Sequence, residues 1–162
     1  MIKIKTILDE DFTNYKKPAM LIAFPTCDFK CEKDAGVCKM CQNTPLSLSP
    51  TIEVSISKVV ERYASNAITS AIVCGGLEPM DSYEGLFSLI KAFRDSNIND
   101  DIVIYTGYNL DEVEVKVKKL SIFKNIIIKF GRYIPNGCAV YDEVLGIKLA
   151  SSNQYAKKIK ED

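Results

Sequence analysis

Four short apolar runs, separated by helix-period stripes, leave this chain few possible folds. Residues 19–24 (AMLIAF), 68–74 (ITSAIVC), 101–105 (DIVIY) and 124–130 (KNIIIKF) have strand length and end at proline, glycine or polar turns. Between them Ile56, Val59, Val60 and Tyr63 mark a helix over 55–66, and Leu86, Leu89, Ile90 and Phe93 mark one over 82–97. Leu110, Val113, Val117 and Leu120 mark a third, with Asn109 or Asp111 as its cap. Strands alternating with helices predict a parallel α/β sheet.

A complete eight-fold barrel takes about 250 residues. With 162 residues the expectation is an open, partial (βα) barrel of parallel strands with outer helices, in one domain over 1–162. Residues 2–7 (IKIKTI) alternate and predict a half-exposed strand, and 9–17 predict a polar loop. Residues 144–149 predict a last strand, followed by a short polar helix.

Composition narrows the chemistry. A formal net charge of zero gives no electrostatic case for nucleic acid or a membrane surface, and no apolar run reaches the roughly 18 residues of a span. The chain has no histidine, which excludes His-ligated zinc, a His general base and a Ser-His-Asp triad. Enzymatic chemistry here would lie with a cofactor. The first residues, MIKIKTI, lack a long apolar signal region, so the expected location is cytoplasmic, where thiols stay reduced.

Four of the six cysteines fall in residues 24–43 (FPTCDFKCEKDAGVCKMCQN): Cys27, Cys31, Cys38 and Cys41, with gaps of three, six and two residues. The loop starts where a buried strand ends, a common place for a site in parallel α/β folds. Thiolates converging from one loop suit a soft metal centre, and spacing alone leaves iron–sulfur and structural zinc both open. Pro45 and Pro50 discourage regular structure up to residue 50.

The other strands also end suggestively: Gly75-Gly76-Leu77-Glu78-Pro79, Thr106-Gly107-Tyr108, Gly131-Arg132-Tyr133 and, after the last, Ser151-Ser152-Asn153-Gln154. In a parallel sheet these ends share one rim, so the motifs should gather around one pocket. Singly each has a plain reading: a turn, a helix cap, or an exposed Glu78 or Arg132.

Together, the Cys27/Cys31 pair, Cys41-Gln42-Asn43, the glycine turn, Tyr105-Thr106-Gly107-Tyr108 and Ser151-Ser152-Asn153-Gln154 make the chain resemble the radical S-adenosylmethionine (SAM) enzymes. Within them it looks most like the activating proteins of anaerobic (class III) ribonucleotide reductases. The resemblance implies a [4Fe-4S] cluster on three cysteines, with SAM on the open iron. It implies reductive cleavage of SAM to methionine and a 5′-deoxyadenosyl radical, which would install a glycyl radical on the partner reductase. A reduced electron donor such as flavodoxin would supply the electron.

The same resemblance assigns SAM to Gly75, Gly76, Leu77 and Glu78 (the last bracing the turn), to Thr106 and Tyr108, and to Ser151 and Asn153. The family spaces its cysteines three and then two apart. Here Cys31 and Cys41 stand nine residues apart, as if residues 32–39 were inserted, and Met40 occupies a usually aromatic position. Two triads are open: Cys27, Cys31 and Cys41, which match the motif residue by residue and are preferred, or Cys27, Cys38 and Cys41. Cys74 is expected in the core, and Cys138 carries no assignment. The alternative from another class is a non-catalytic metal-binding or electron-transfer module on the same fold.

Overall fold

A computed structural model describes residues 1–38 and 41–160; Met40 and the end of the insertion at residue 39 lie outside the described residues. In chain order the elements are β1 (Ile2–Ile4), β2 (Thr6–Asp11), β3 (Ala19–Phe24), α1 (Lys30–Ala35), α2 (Thr44–Leu48), β4 (Ile52–Val54), α3 (Ile56–Ala64) and β5 (Ala71–Gly76). A 3₁₀ turn, Pro79–Ser82, leads into α4 (Tyr83–Asp95), β6 (Asp101–Tyr105), α5 (Leu110–Leu120), β7 (Ile126–Phe130), β8 (Val140–Asp142), β9 (Ile147–Leu149) and β10 (Tyr155–Lys158).

The central sheet runs β10-β7-β6-β5-β3-β2. Its four inner strands are parallel, and β2 and β10 are antiparallel edges. The protein is thus a mixed α/β domain with a mostly parallel sheet. Strand alternation sorts side chains onto two faces. Met20, Ile22, Ile72, Cys74, Ile102, Ile104, Ile126 and Ile128 pack against Val59, Tyr63, Leu86, Leu89, Phe93, Val113 and Leu120, so α3, α4 and α5 all cover one face. Cys74 is a core residue there, as expected. On the opposite face Ala19, Ala71, Val73, Val103 and Ile127 meet Tyr15, Leu145 and Leu149 from loops and the β8–β9 hairpin. That face is free of the three helices, and it carries the site.

The chain differs from the sequence expectation at its periphery. Residues 2–7 are not one strand: β1 pairs with β4 and β2 with β3. Lys5 marks the change, donating its N–H to Ala23 and its ammonium to the Ser47 and Ser49 carbonyls. The expected loop at 9–17 begins only after Asp11, whose carboxylate accepts the Thr13 N–H and side-chain donors from Thr13 and Asn14. The expected strand at 144–149 is the second half of a hairpin, turned at Gly146 (φ 71°) and outside the main sheet. The expected polar helix near the C-terminus is β10, an edge strand on β7. Pro45 does not prevent α2, because it lies in the first turn, where the missing N–H costs nothing. Among the described residues no helix is long and apolar enough to cross a membrane.

Candidate metal centre

The cysteine loop is tied to the glycine turn as it leaves β3. Leu77 donates its N–H to the Phe24 carbonyl and Glu78 to that of Thr26, so Cys27 starts beside the end of β5. The Cys27 sulfur accepts the Phe29 N–H at 3.3 Å; Phe29, at φ 54°, turns the chain into α1, which carries Cys31. The Cys41 N–H donates to Glu32 Oε1 (2.9 Å), and the Cys41 sulfur accepts the Asn43 N–H (3.4 Å). Asn43 closes the loop by donating to the Gly76 carbonyl at 2.7 Å.

Cys27, Cys31 and Cys41 all line one cavity of about 710 Å³ above the C-terminal ends of the parallel strands. Cys38 is exposed and outside it. Burial pushes the Cys27 thiol up to about 12, against the Phe29 N–H, and also raises that of Cys31. Such thiols ionise when a cation takes the proton's place. Among the described residues no three Cys, Asp or Glu side chains gather tightly enough to hold a single ion. The three thiols line one cavity, with N–H donors on two of the sulfurs, a donor set suited to an iron–sulfur cluster.

Of the residues expected around a cofactor, Gly76, Leu77, Glu78 and Thr106 line the same cavity. Gly76 is required by its backbone: at φ 84°, a Cβ would stand 2.7 Å from Ala23 Cβ. Glu78 is buried and braces the site, accepting N–H bonds from Met80 (3.0 Å) and Gly107 (2.8 Å). The plain reading of Glu78 as an exposed loop carboxylate fails on its 6% exposure. Burial pushes its carboxyl up to about 7, against those two N–H groups.

Gly75, Tyr108, Ser151 and Asn153 do not line the cavity. Gly75 is buried within β5. Tyr108 points its hydroxyl to Asp81 at 2.7 Å. The buried Ser151 hydroxyl accepts the Ile134 N–H, and exposed Asn153 donates to the Arg132 carbonyl. Gln154, from the same motif, does line the cavity, its oxygen accepting the Ala150 and Ser151 N–H groups.

Sequence reasoning missed Lys129 altogether. It lies on the helix-free face of β7, lines the cavity, is 7% exposed, and donates to the Gly131 carbonyl at 2.9 Å. Burial pushes its ammonium down to about 8, with Glu78 and Cys31 opposing the shift. The signal was available: a lysine inside the apolar run IIIKF, at a position facing away from the helices. Arg132 is not the exposed arginine expected by default. Its side chain is 13% exposed, forks onto Glu112 at 2.7 and 2.6 Å, and reaches Asp34 at 2.9 Å.

The model of a family described as a 4Fe-4S single cluster domain matches residues 20–139, from β3 through the cysteine loop to the far wall of the cavity. The chain belongs to that family and is an iron–sulfur cluster-binding domain. No curated protein and no solved structure gives a significant match.

Proposed function

We propose that the protein is a radical SAM enzyme whose [4Fe-4S] cluster is held by Cys27, Cys31 and Cys41 and whose reaction installs a glycyl radical on an anaerobic ribonucleotide reductase. The observation that carries this reading is convergence. Three cysteines, the glycine turn after β5, Thr106 after β6 and Lys129 on β7 line one cavity at the same ends of consecutive parallel strands. Helices on one sheet face and a cavity on the other support reading the mostly parallel sheet as the wall of an open (βα) barrel.

With the cluster and SAM bound, the site would deliver one electron to the sulfonium, cleaving SAM to methionine and a 5′-deoxyadenosyl radical. The chain's own part is binding and exclusion of water. Gly76 brings backbone without a side chain to the cavity beside the cysteines, and Leu77 lines it next to Gly76. Glu78 locks the β5 and β6 turns together through its two N–H bonds. Lys129 supplies buried positive charge in the cavity wall and would be a partner for an amino acid's carboxylate. A reduced donor such as flavodoxin, and a glycyl-radical enzyme reaching the open side, are the partners this reading requires.

The test is low-temperature electron paramagnetic resonance on anaerobically reconstituted, reduced protein, with and without SAM. A [4Fe-4S]⁺ signal that changes shape with SAM, and 5′-deoxyadenosine among the products, are expected. A cluster signal indifferent to SAM would instead favour an electron-transfer module. Glycyl-radical formation on a co-purified anaerobic reductase tests the partner.

A further inference from the structure

Helix α1 carries Cys31 yet buries none of its own side chains. Charge holds it in place. Lys30, just before the cysteine, pairs with Glu112 at the start of α5. Asp34, one turn on, pairs with Arg132 Nε at 2.9 Å, and the same guanidinium forks onto Glu112. Tyr108 lies under both cations, its ring centre 5.6 Å from the Lys30 ammonium and 5.9 Å from the Arg132 guanidinium. From within α1, Glu32 reaches back to the Cys41 N–H. These contacts join α1 to the rim after β6 and to the segment after β7, across the cavity mouth.

We infer that Arg132, Glu112, Lys30 and Asp34 form an electrostatic latch that positions Cys31 for the cluster despite the nine-residue gap to Cys41. Arg132 and Glu112 are positioning residues in this scheme, acting on the cluster through α1. Arginine suits the part, since its planar fork engages Glu112 with two nitrogens while the same positive charge stands beside Asp34, whose carboxylate is 2.9 Å from Nε without accepting its N–H. Glu112 also accepts the Asn109 N–H at 2.9 Å as part of the α5 capping box, so the latch is anchored to a rigid helix end.

The inference rests on Cys31 being a cluster ligand, and the experiment separates the two. The cluster-loaded protein is challenged with an iron chelator under anaerobic conditions, and loss of the iron–sulfur absorbance is timed at low and high salt. Glu112→Gln, Arg132→Met and Asp34→Asn are compared with wild type and Cys31→Ser. Glu112→Gln and Arg132→Met should lose the cluster about 5- to 30-fold faster, with Asp34→Asn in the same direction but weaker. Arg132→Lys, which keeps the charge without the fork, should fall between. Salt should speed loss from wild type toward the variants and leave Glu112→Gln nearly unchanged. The reduced-cluster resonance of Glu112→Gln should broaden relative to wild type, a change that uniform loss of stability does not produce. If Cys31→Ser holds its cluster as wild type does, the ligand assignment fails. If Cys31→Ser loses it while Glu112→Gln and Asp34→Asn match wild type in rate, salt response and spectrum, the latch is wrong and the ligand assignment stands.

Discussion

Helices α4 and α1 show two ways of holding a segment in place. Leu86, Leu89, Ile90 and Phe93 of α4 are all fully buried against the sheet. Helix α1 has no buried residue and rests on ion pairs around one guanidinium. Packing of the first kind is cooperative and indifferent to salt, and it fixes the scaffold. Contacts of the second kind are screened by salt and weak one at a time, and they leave a segment freer to open locally. The molecule thus separates a rigid sheet-and-helix layer from a cysteine loop that charge brings to its rim.

The largest effect should come from breaking the packed side. Phe93 is fully buried and meets Tyr63 edge-on, ring centres 5.5 Å apart. Phe93→Ala should cost about 3–5 kcal/mol in urea unfolding. If α4 were held as α1 is, the loss would stay under about 1 kcal/mol and shrink in high salt.

Glu78 stands between the two regions, a carboxyl buried at the sheet end that braces the cavity. Its folded pKa, near 7, lies above that of a free glutamate. The folded state therefore holds the proton more tightly than the unfolded one. The stability this gives is full below about pH 4 and is lost as pH rises through 7, a change of about 3 kcal/mol. Urea midpoints should fall between pH 5 and 8, and Glu78→Gln should flatten that slope at the cost of one N–H bond. An unchanged slope in the variant would assign the titration to another group.

Gly76 tests how closely the backbone approaches at the cavity. Its φ of 84° and the 2.7 Å clash of a Cβ with Ala23 predict a loss of about 1–3 kcal/mol for Gly76→Ala. Gly75→Ala, with no neighbour nearer than 3.6 Å to its new Cβ, should cost less. Equal losses from the two would mean that the turn does not depend on positive φ.

The same division explains what the sequence makes legible. Ala19–Phe24 and Asp101–Tyr105 are strands at the expected boundaries, because both faces of an inner parallel strand are buried and the run is apolar throughout. The three long helices are equally plain from their stripes. Tyr155–Lys158 pairs only with β7 at an edge, and three of its four residues are exposed, so no apolar period marks it as a strand. Helix α1 has no apolar stripe for the same reason that it has no buried residue. The three cysteines, Gly76, Leu77, Glu78 and Thr106 are found together because their motifs follow strand ends. Lys129 escapes that logic because it lies within a strand, and only the face to which alternation turns it shows that it enters the cavity. Arg132 looks ordinary until Asp34 and Glu112, 98 and 20 residues away in the chain, fold against it.

The smallest effect gives the sharpest comparison, since one chemical change can be made on both helices. Asp95 pairs with Lys91 one turn back on α4, both well exposed, and Asp34 pairs with Arg132 from α1. Asp95→Asn and Asp34→Asn should each change global stability by less than about 0.5 kcal/mol, since neither removes buried surface. Their local consequences should differ. Asp95→Asn leaves the four buried side chains of α4 holding that helix, so amide exchange within α4 should stay as slow as in wild type. Asp34→Asn removes one of the ion pairs that hold α1, so the Gly36 and Val37 amides, which donate to Lys33 and Glu32, should exchange several-fold faster. Raising the salt should speed those two amides in wild type and leave α4 unaffected. Equal acceleration in both helices, or none in α1, would show that α1 is held by something other than charge.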